Sequence, residues 1–149
     1  MVKIEGVSKQ FGDYKAVDEV SFEVEEGDTF AIIGGSGSGK TTLLRLINRL
    51  IPLDEGEVFI NGKNSKSFAP VRLRRMLGYV IQSVGLFPHY TVEENIAIVP
   101  RLLKWKEQTI RDRAAELLSM LGLEPGAYAG RYPHELSGGQ QQRVGIARA

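Results

Sequence analysis

The first eight residues of the run Gly34-Gly35-Ser36-Gly37-Ser38-Gly39-Lys40-Thr41-Thr42 match the pattern G-x-x-x-x-G-K-[ST] without a gap. The chemistry that these residue types offer is anion binding. Glycines allow a backbone to curl so that successive N–H groups point inward, which a Cβ at each position would obstruct. A helix opening near Lys40 adds its unpaired N–H groups and the positive end of its dipole. Lys40 is placed to reach the β- and γ-phosphates of a nucleotide, and the Thr41 hydroxyl to ligate Mg²⁺. The alternative is a flexible Gly/Ser turn, but a turn alone does not require Gly, Lys and Thr at fixed offsets.

The flanking segments suit this task. Thr29-Phe30-Ala31-Ile32-Ile33 is a short apolar run that reads as a buried strand leading into the loop. After the loop, apolar residues at 43, 44, 47, 50 and 51 have the spacing of one helix face. Further upstream the sequence is β-rich, with strands expected over Val2 to Phe11 and Val20 to Val24. Glu57-Val58-Phe59-Ile60 reads as another strand, closed by the turn pair Asn61-Gly62. One or two helical turns are expected over Val71 to Met76. Gly78-Tyr79-Val80-Ile81-Gln82 then reads as a strand whose polar C-terminal residue lies where open α/β sheets hold ligands.

From Pro88 onward the pattern turns helical. Thr91 and Glu94 have capping-box spacing, and Ile110, Ala114, Leu117, Leu118 and Leu121 share one helix face before Gly122. The expected organisation is a β-rich and phosphate-loop portion (1–87), a helical subdomain (88–135), and a final motif with its helix (136–149).

Composition narrows the class. The chain has 149 residues, 42% hydrophobic and 25% charged, enough for one real core and hardly two. A net charge of +1 gives no electrostatic reason to expect nucleic acid or an anionic membrane as partner. Without cysteine there are no disulfides or thiolate metal sites, which suits the cytosol. No apolar run approaches the roughly 20 residues that span a bilayer, and Met1 to Glu5 alternates like a strand rather than a signal peptide. A membrane link is therefore expected only through a partner.

Leu136-Ser137-Gly138-Gly139-Gln140-Gln141-Gln142-Arg143 is the second motif. Ser137 can cap a helix running to Ala149, and Gly138 and Gly139 would leave its first N–H groups uncovered, a second anion-binding surface. Standing alone, it would be read as a Ser-Gly-Gly helix start without a ligand. With the phosphate loop, the strand ending in Gln82 and L-S-G-G-Q in that order, the chain closely resembles the ATP-binding subunit of ABC transporters over essentially its whole length.

That resemblance implies a P-loop NTPase core with an inserted helical subdomain, and ATP and Mg²⁺ as cofactors. Gly34 to Thr42 would bind the phosphates. Ser137, Gly138, Gly139 and Gln140 would contact the γ-phosphate of ATP held by the loop of an opposing subunit. Such half-sites imply a head-to-tail dimer enclosing two ATPs. Gln82 would reach Mg²⁺ and the attacking water, or else be a buried, hydrogen-bonded strand end. Phe11 falls where the family places an aromatic residue on adenine, a stacking worth ~1–3 kcal/mol by analogy with nucleic-acid bases; Tyr14 is the rival. Gly35 stands where proline is frequent, which keeps an N–H available.

Gly85-Leu86-Phe87-Pro88-His89 and Thr91 to Ala97 are similar to importer ATPases, and Ile98 to Trp105 looks like the branch that imports glycine betaine, choline or carnitine. His89, without metal-ligand companions, reads as an interface or surface residue rather than a ligand. The partners implied are transmembrane permease subunits, a solute-binding protein indirectly, and a place at the cytoplasmic face of the membrane. The family's next elements, a strand ending in the Walker B aspartate, the catalytic glutamate and the switch histidine, are not among residues 1–149. These residues by themselves are therefore expected to be unstable or aggregation-prone and to hydrolyse no ATP. Two other readings remain open: a regulatory module that binds ATP without turnover, and a soluble ATPase acting on nucleic acid.

Overall fold

The computed structural model describes residues 1–149, whose backbone groups into two bodies, 1–77 and 78–149. In the first, strands β1 (Val2–Phe11) and β2 (Tyr14–Val24) pair antiparallel, with Val2 opposite Val24 and Ile4 opposite Phe22. Strand β3 (Glu55–Ile60) pairs with the other edge of β1, and the two-residue β4 (Lys63–Asn64) completes the order β2-β1-β3-β4. Asn61 and Gly62 have φ of 49° and 73°, the doubly positive turn that the pair predicts.

The alternation of β1 breaks in its second half. Its ladder shifts register between Ile4 and Val7 and again around Lys9, so that Val7, Ser8 and Lys9 are buried in succession. Bulges re-aim side chains in this way. Helix α1 (Lys40–Ile47) lays Leu43 and Leu46 against Ile4, Val7, Val17, Val58 and Ile60, and Leu73 of α2 (Pro70–Met76) joins them. The sheet thus gives the phosphate loop a packed footing on α1.

Two expected strands are absent. Residues 29–33 and 78–82 are irregular, and neither is in a ladder. A strand exists only with a hydrogen-bonded neighbour, and residues 1–149 offer neither segment one. Ile33 is 94% exposed, while Phe30 stacks on Phe22 with centroids 4.6 Å apart.

The second body is helical: α3 (Val92–Leu102), α4 (Glu107–Met120), α5 (Pro125–Tyr128) and α6 (Gly138–Arg148). The Thr91 hydroxyl accepts from the Glu94 N–H at 3.2 Å, and the Glu94 carboxylate accepts from the Thr91 N–H at 2.8 Å. These bonds hold the Glu94 carboxyl below its ordinary pKa. Helix α4 stops at Gly122 (φ 68°), where the Gly122 N–H donates to Ser119 and the Leu123 N–H to Leu118. Val92, Ile96, Ala114, Leu118, Leu123, Leu136 and Val144 fill the core.

Asn95 is fully buried within this core. Its carbonyl accepts from the Phe87 N–H at 2.8 Å, and its amide donates to the carbonyls of Phe87, Tyr90 and Thr91. It ties down the loop carrying Phe87, His89 and Tyr90, whose rings contact one another. Asn95→Ala leaves the Phe87 N–H and the Tyr90 carbonyl without a partner, while the Phe87 and Thr91 carbonyls keep backbone donors. It is expected to destabilise the protein by on the order of 3 kcal/mol. Urea unfolding measures it; a loss below about 1 kcal/mol would contradict this tie.

Candidate functional site

The loop residues stand as an anion cradle. Gly37 and Gly39 have φ of 81° and 86°, and Gly39 is the N-cap of α1 with no side chain capping the helix. The N–H groups of Lys40, Thr41 and Thr42 find no acceptor in the protein. Three converging donors with the helix dipole behind them favour a phosphate.

The glycines are not equivalent. A Cβ on Gly39 would run into the Ala16 carbonyl oxygen, and one on Gly34 would stand 2.6 Å from the Ser38 hydroxyl. At Gly35 a Cβ would meet nothing within 4 Å. Ser36 is exposed at the loop tip, and the Ser38 N–H donates to the Gly35 carbonyl. The Lys40 ammonium donates to the carbonyls of Gly34 (2.8 Å) and Gly35 (2.6 Å) and to the Ser38 hydroxyl (3.2 Å). It therefore sits at the mouth of the cradle rather than out in solvent. Thr41 is exposed at the first turn, its hydroxyl free for a ligand.

Beside the cradle lies a cleft of about 280 Å³, lined by Phe11, Tyr14, Ala16 and residues 37–42. Both candidate aromatics are in it. The Tyr14 hydroxyl donates to the Gly37 carbonyl at 2.9 Å, so this ring braces the loop; both rings are half exposed or more. Sequence reasoning missed the Tyr14 brace because no local pattern links residues 23 apart.

In the second body, the Ser137 hydroxyl accepts from the Gln140 N–H at 3.3 Å and the Gln140 side chain accepts from the Ser137 N–H at 2.8 Å. Gln140 also donates to the Tyr128 hydroxyl at 3.1 Å, a contact that the motif did not announce. Gly138 and Gly139 are exposed, have no positive φ, and would accept a Cβ with nothing within 4 Å. The fold therefore does not require glycine at either position. Gln82 is exposed in the irregular stretch, its carboxamide bonded to no protein group, unlike the buried strand end weighed from sequence. His89 packs edge-on to Tyr90, with centroids 4.6 Å apart, as an aromatic contact residue.

No cluster of three or more His, Cys, Asp or Glu residues forms a metal site, and no helix is long and apolar enough to cross a membrane. A magnesium ion carried by nucleotide phosphates keeps several waters and asks few ligands of the protein. An exposed Thr41 hydroxyl next to a phosphate cradle fits that demand.

The sequence profile of the ABC transporter family matches residues 17–149. This chain belongs to the ABC transporter family. Among ABC relatives, the choline transport ATP-binding protein OpuBA of Bacillus subtilis (strain 168) is 52% identical over 150 residues, covering all of this chain and 39% of its own length. The glycine betaine uptake system ATP-binding protein YehX of Escherichia coli (strain K12) is 52% identical over 149 residues, covering all of this chain and 48% of its own length. The chain thus spans less than half the length of these curated relatives. The dimeric, ADP- and phosphate-bound ATP-binding cassette MJ0796 superimposes with a TM-score of 0.85 at 37% identity, over 99% of this chain and 68% of that one. The expected fold, an ABC nucleotide-binding cassette of mixed α/β structure, is the observed one.

Proposed function

We propose that this chain is the nucleotide-binding portion of an ATP-hydrolysing subunit of an ABC importer for quaternary amine osmoprotectants. The observation that carries the reading is the cradle itself: three unpaired N–H groups, a lysine at its mouth, and an aromatic cleft beside it. The substrate class is supported by relatives named for choline and glycine betaine that are identical to this chain at about half of its own positions.

In this reading Phe11 takes the adenine, Gly34 to Thr42 wrap the phosphates, and Lys40 turns its ammonium from the Gly34 and Gly35 carbonyls to the β- and γ-oxygens. Thr41 would be a protein ligand for magnesium, which would neutralise charge on the phosphates during transfer, and the unpaired Gln82 carboxamide is available for magnesium and the attacking water. Ser137, Gly138, Gly139 and Gln140 present the N-terminus of α6 to the γ-phosphate bound by a second, head-to-tail subunit. The dimeric state of the MJ0796 cassette supports that arrangement. Transmembrane permease subunits would receive the motion and hold the protein at the cytoplasmic face of the membrane, with a solute-binding protein delivering cargo. A nucleic-acid role has no support from the near-neutral charge.

Uptake of radiolabelled glycine betaine and choline under osmotic stress tests this. Deleting the gene is expected to abolish uptake of at least one of them and to leave amino-acid uptake intact. Unchanged uptake of both, with loss of another solute, would overturn the substrate assignment while leaving the nucleotide site standing.

A further inference from the structure

Lys9 is a cation where a strand would ordinarily place an apolar residue. The bulged register of β1 buries it, with 8% of its surface exposed, and its ammonium pairs with Asp54 at 2.7 Å. The second Asp54 oxygen accepts from the Gln10 N–H at 2.8 Å, and the Asp54 N–H donates to the Ser8 carbonyl at 3.1 Å. Asp54 therefore clamps the strand end from Ser8 to Gln10, and these bonds hold its carboxyl below the ordinary range. The same ammonium stands 5.3 Å from the centroid of the Phe11 ring. Phe11 lines the cleft beside the phosphate cradle, and Lys9 does not. The cation is thus outside the cleft while remaining in contact with the ring.

Burying an ammonium is costly even when it is paired, so the pair with Asp54 is by itself weak evidence of a purely stabilising role. What the charge adds is its action on the ring. A cation near a ring face is attracted by the π-electrons and fixes the ring's position. It also withdraws electron density, which lowers the repulsion between the ring and an electron-rich partner stacked on it.

We infer that Lys9, held by Asp54, is a positioning residue for the base: it fixes and polarises the Phe11 ring so that an electron-rich purine stacks on it. This rests on the reading of Phe11 as the adenine platform. Lys9 acts on base recognition and leaves phosphate recognition to the loop.

The test is binding of ATP and of inorganic tripolyphosphate to the full-length protein by titration calorimetry. Lys9→Met is expected to weaken ATP about three- to tenfold and to leave tripolyphosphate affinity within about twofold. Lys9→Arg, which keeps a cation, should restore most of the ATP affinity. In a Phe11→Ala background, Lys9→Met should have no further effect. If Lys9→Met does not fold, Lys9→Gln keeps a hydrogen bond to Asp54 without the charge and gives the same comparison. Equal losses for both ligands would mean general loosening and overturn the inference, as would a loss that persists without the Phe11 ring. If Phe11→Ala weakens ATP but loss of the Lys9 charge does not, the inference fails and the platform stands. If Phe11→Ala changes nothing, both fail.

Discussion

Replacing Lys40 with alanine is expected to lower ATP affinity at least about a hundredfold. The ammonium makes three hydrogen bonds at the mouth of the loop, to Gly34, Gly35 and Ser38, so it is already held within the loop by short contacts. Transfer of those donors to phosphate oxygens creates charge-assisted bonds, which are about twice as strong as neutral ones. Losing them should cost on the order of 3 kcal/mol, or two decades in affinity. The fold should be barely affected, since Lys40 meets only its own loop. Titration with a fluorescent ATP analogue measures the first part and thermal melting the second. Affinity within about threefold of wild type would show that the loop is not the phosphate site.

Gly39→Ala should be more damaging to the protein as a whole. At φ 86° an L-residue is strained by about 1–2 kcal/mol. The new methyl would also run into the backbone carbonyl of Ala16, on the neighbouring strand β2, which cannot rotate away as a side chain could. Together these should destabilise the protein by about 3 kcal/mol or more and splay the first turn of α1 from the loop, removing phosphate binding with it. Gly35→Ala is the internal comparison: its Cβ would meet open space, and its stability should change by less than about 1 kcal/mol. Paired denaturant melts of the two variants read the difference. Similar losses would mean that the cradle yields more easily than its geometry indicates.

The contrast between these two glycines shows what sequence could and could not say. The pattern marked the whole loop, because phosphate binding fixes residue types at fixed offsets. It could not tell that Gly39 faces Ala16 while Gly35 faces nothing, since that depends on a strand more than 20 residues upstream. Helix starts at Thr91 and Ser137 and the stop at Gly122 were legible because caps act within one turn. The strands expected at 29–33 and 78–82 rested on apolar composition, which signals burial but cannot supply a neighbour to pair with. Lys9 and Asn95 were passed over for the opposite reason. Each is polar, and its burial follows from a bulge or from a loop folding back, neither of which leaves a periodic trace.

The four longer helices begin in two chemically different ways. Helices α3 and α4 carry carboxylates in their first turns, at Glu93, Glu94 and Glu107, and so offset their own positive ends. Helices α1 and α6 have none; α1 opens on a bare glycine, and α6 uses an uncharged glutamine in the position that Glu94 fills in α3. A neutral cap satisfies the same backbone N–H group without setting up a competing negative field. The polypeptide thus sorts its helix ends by voltage: two are grounded, and the two beside its glycine motifs are left live.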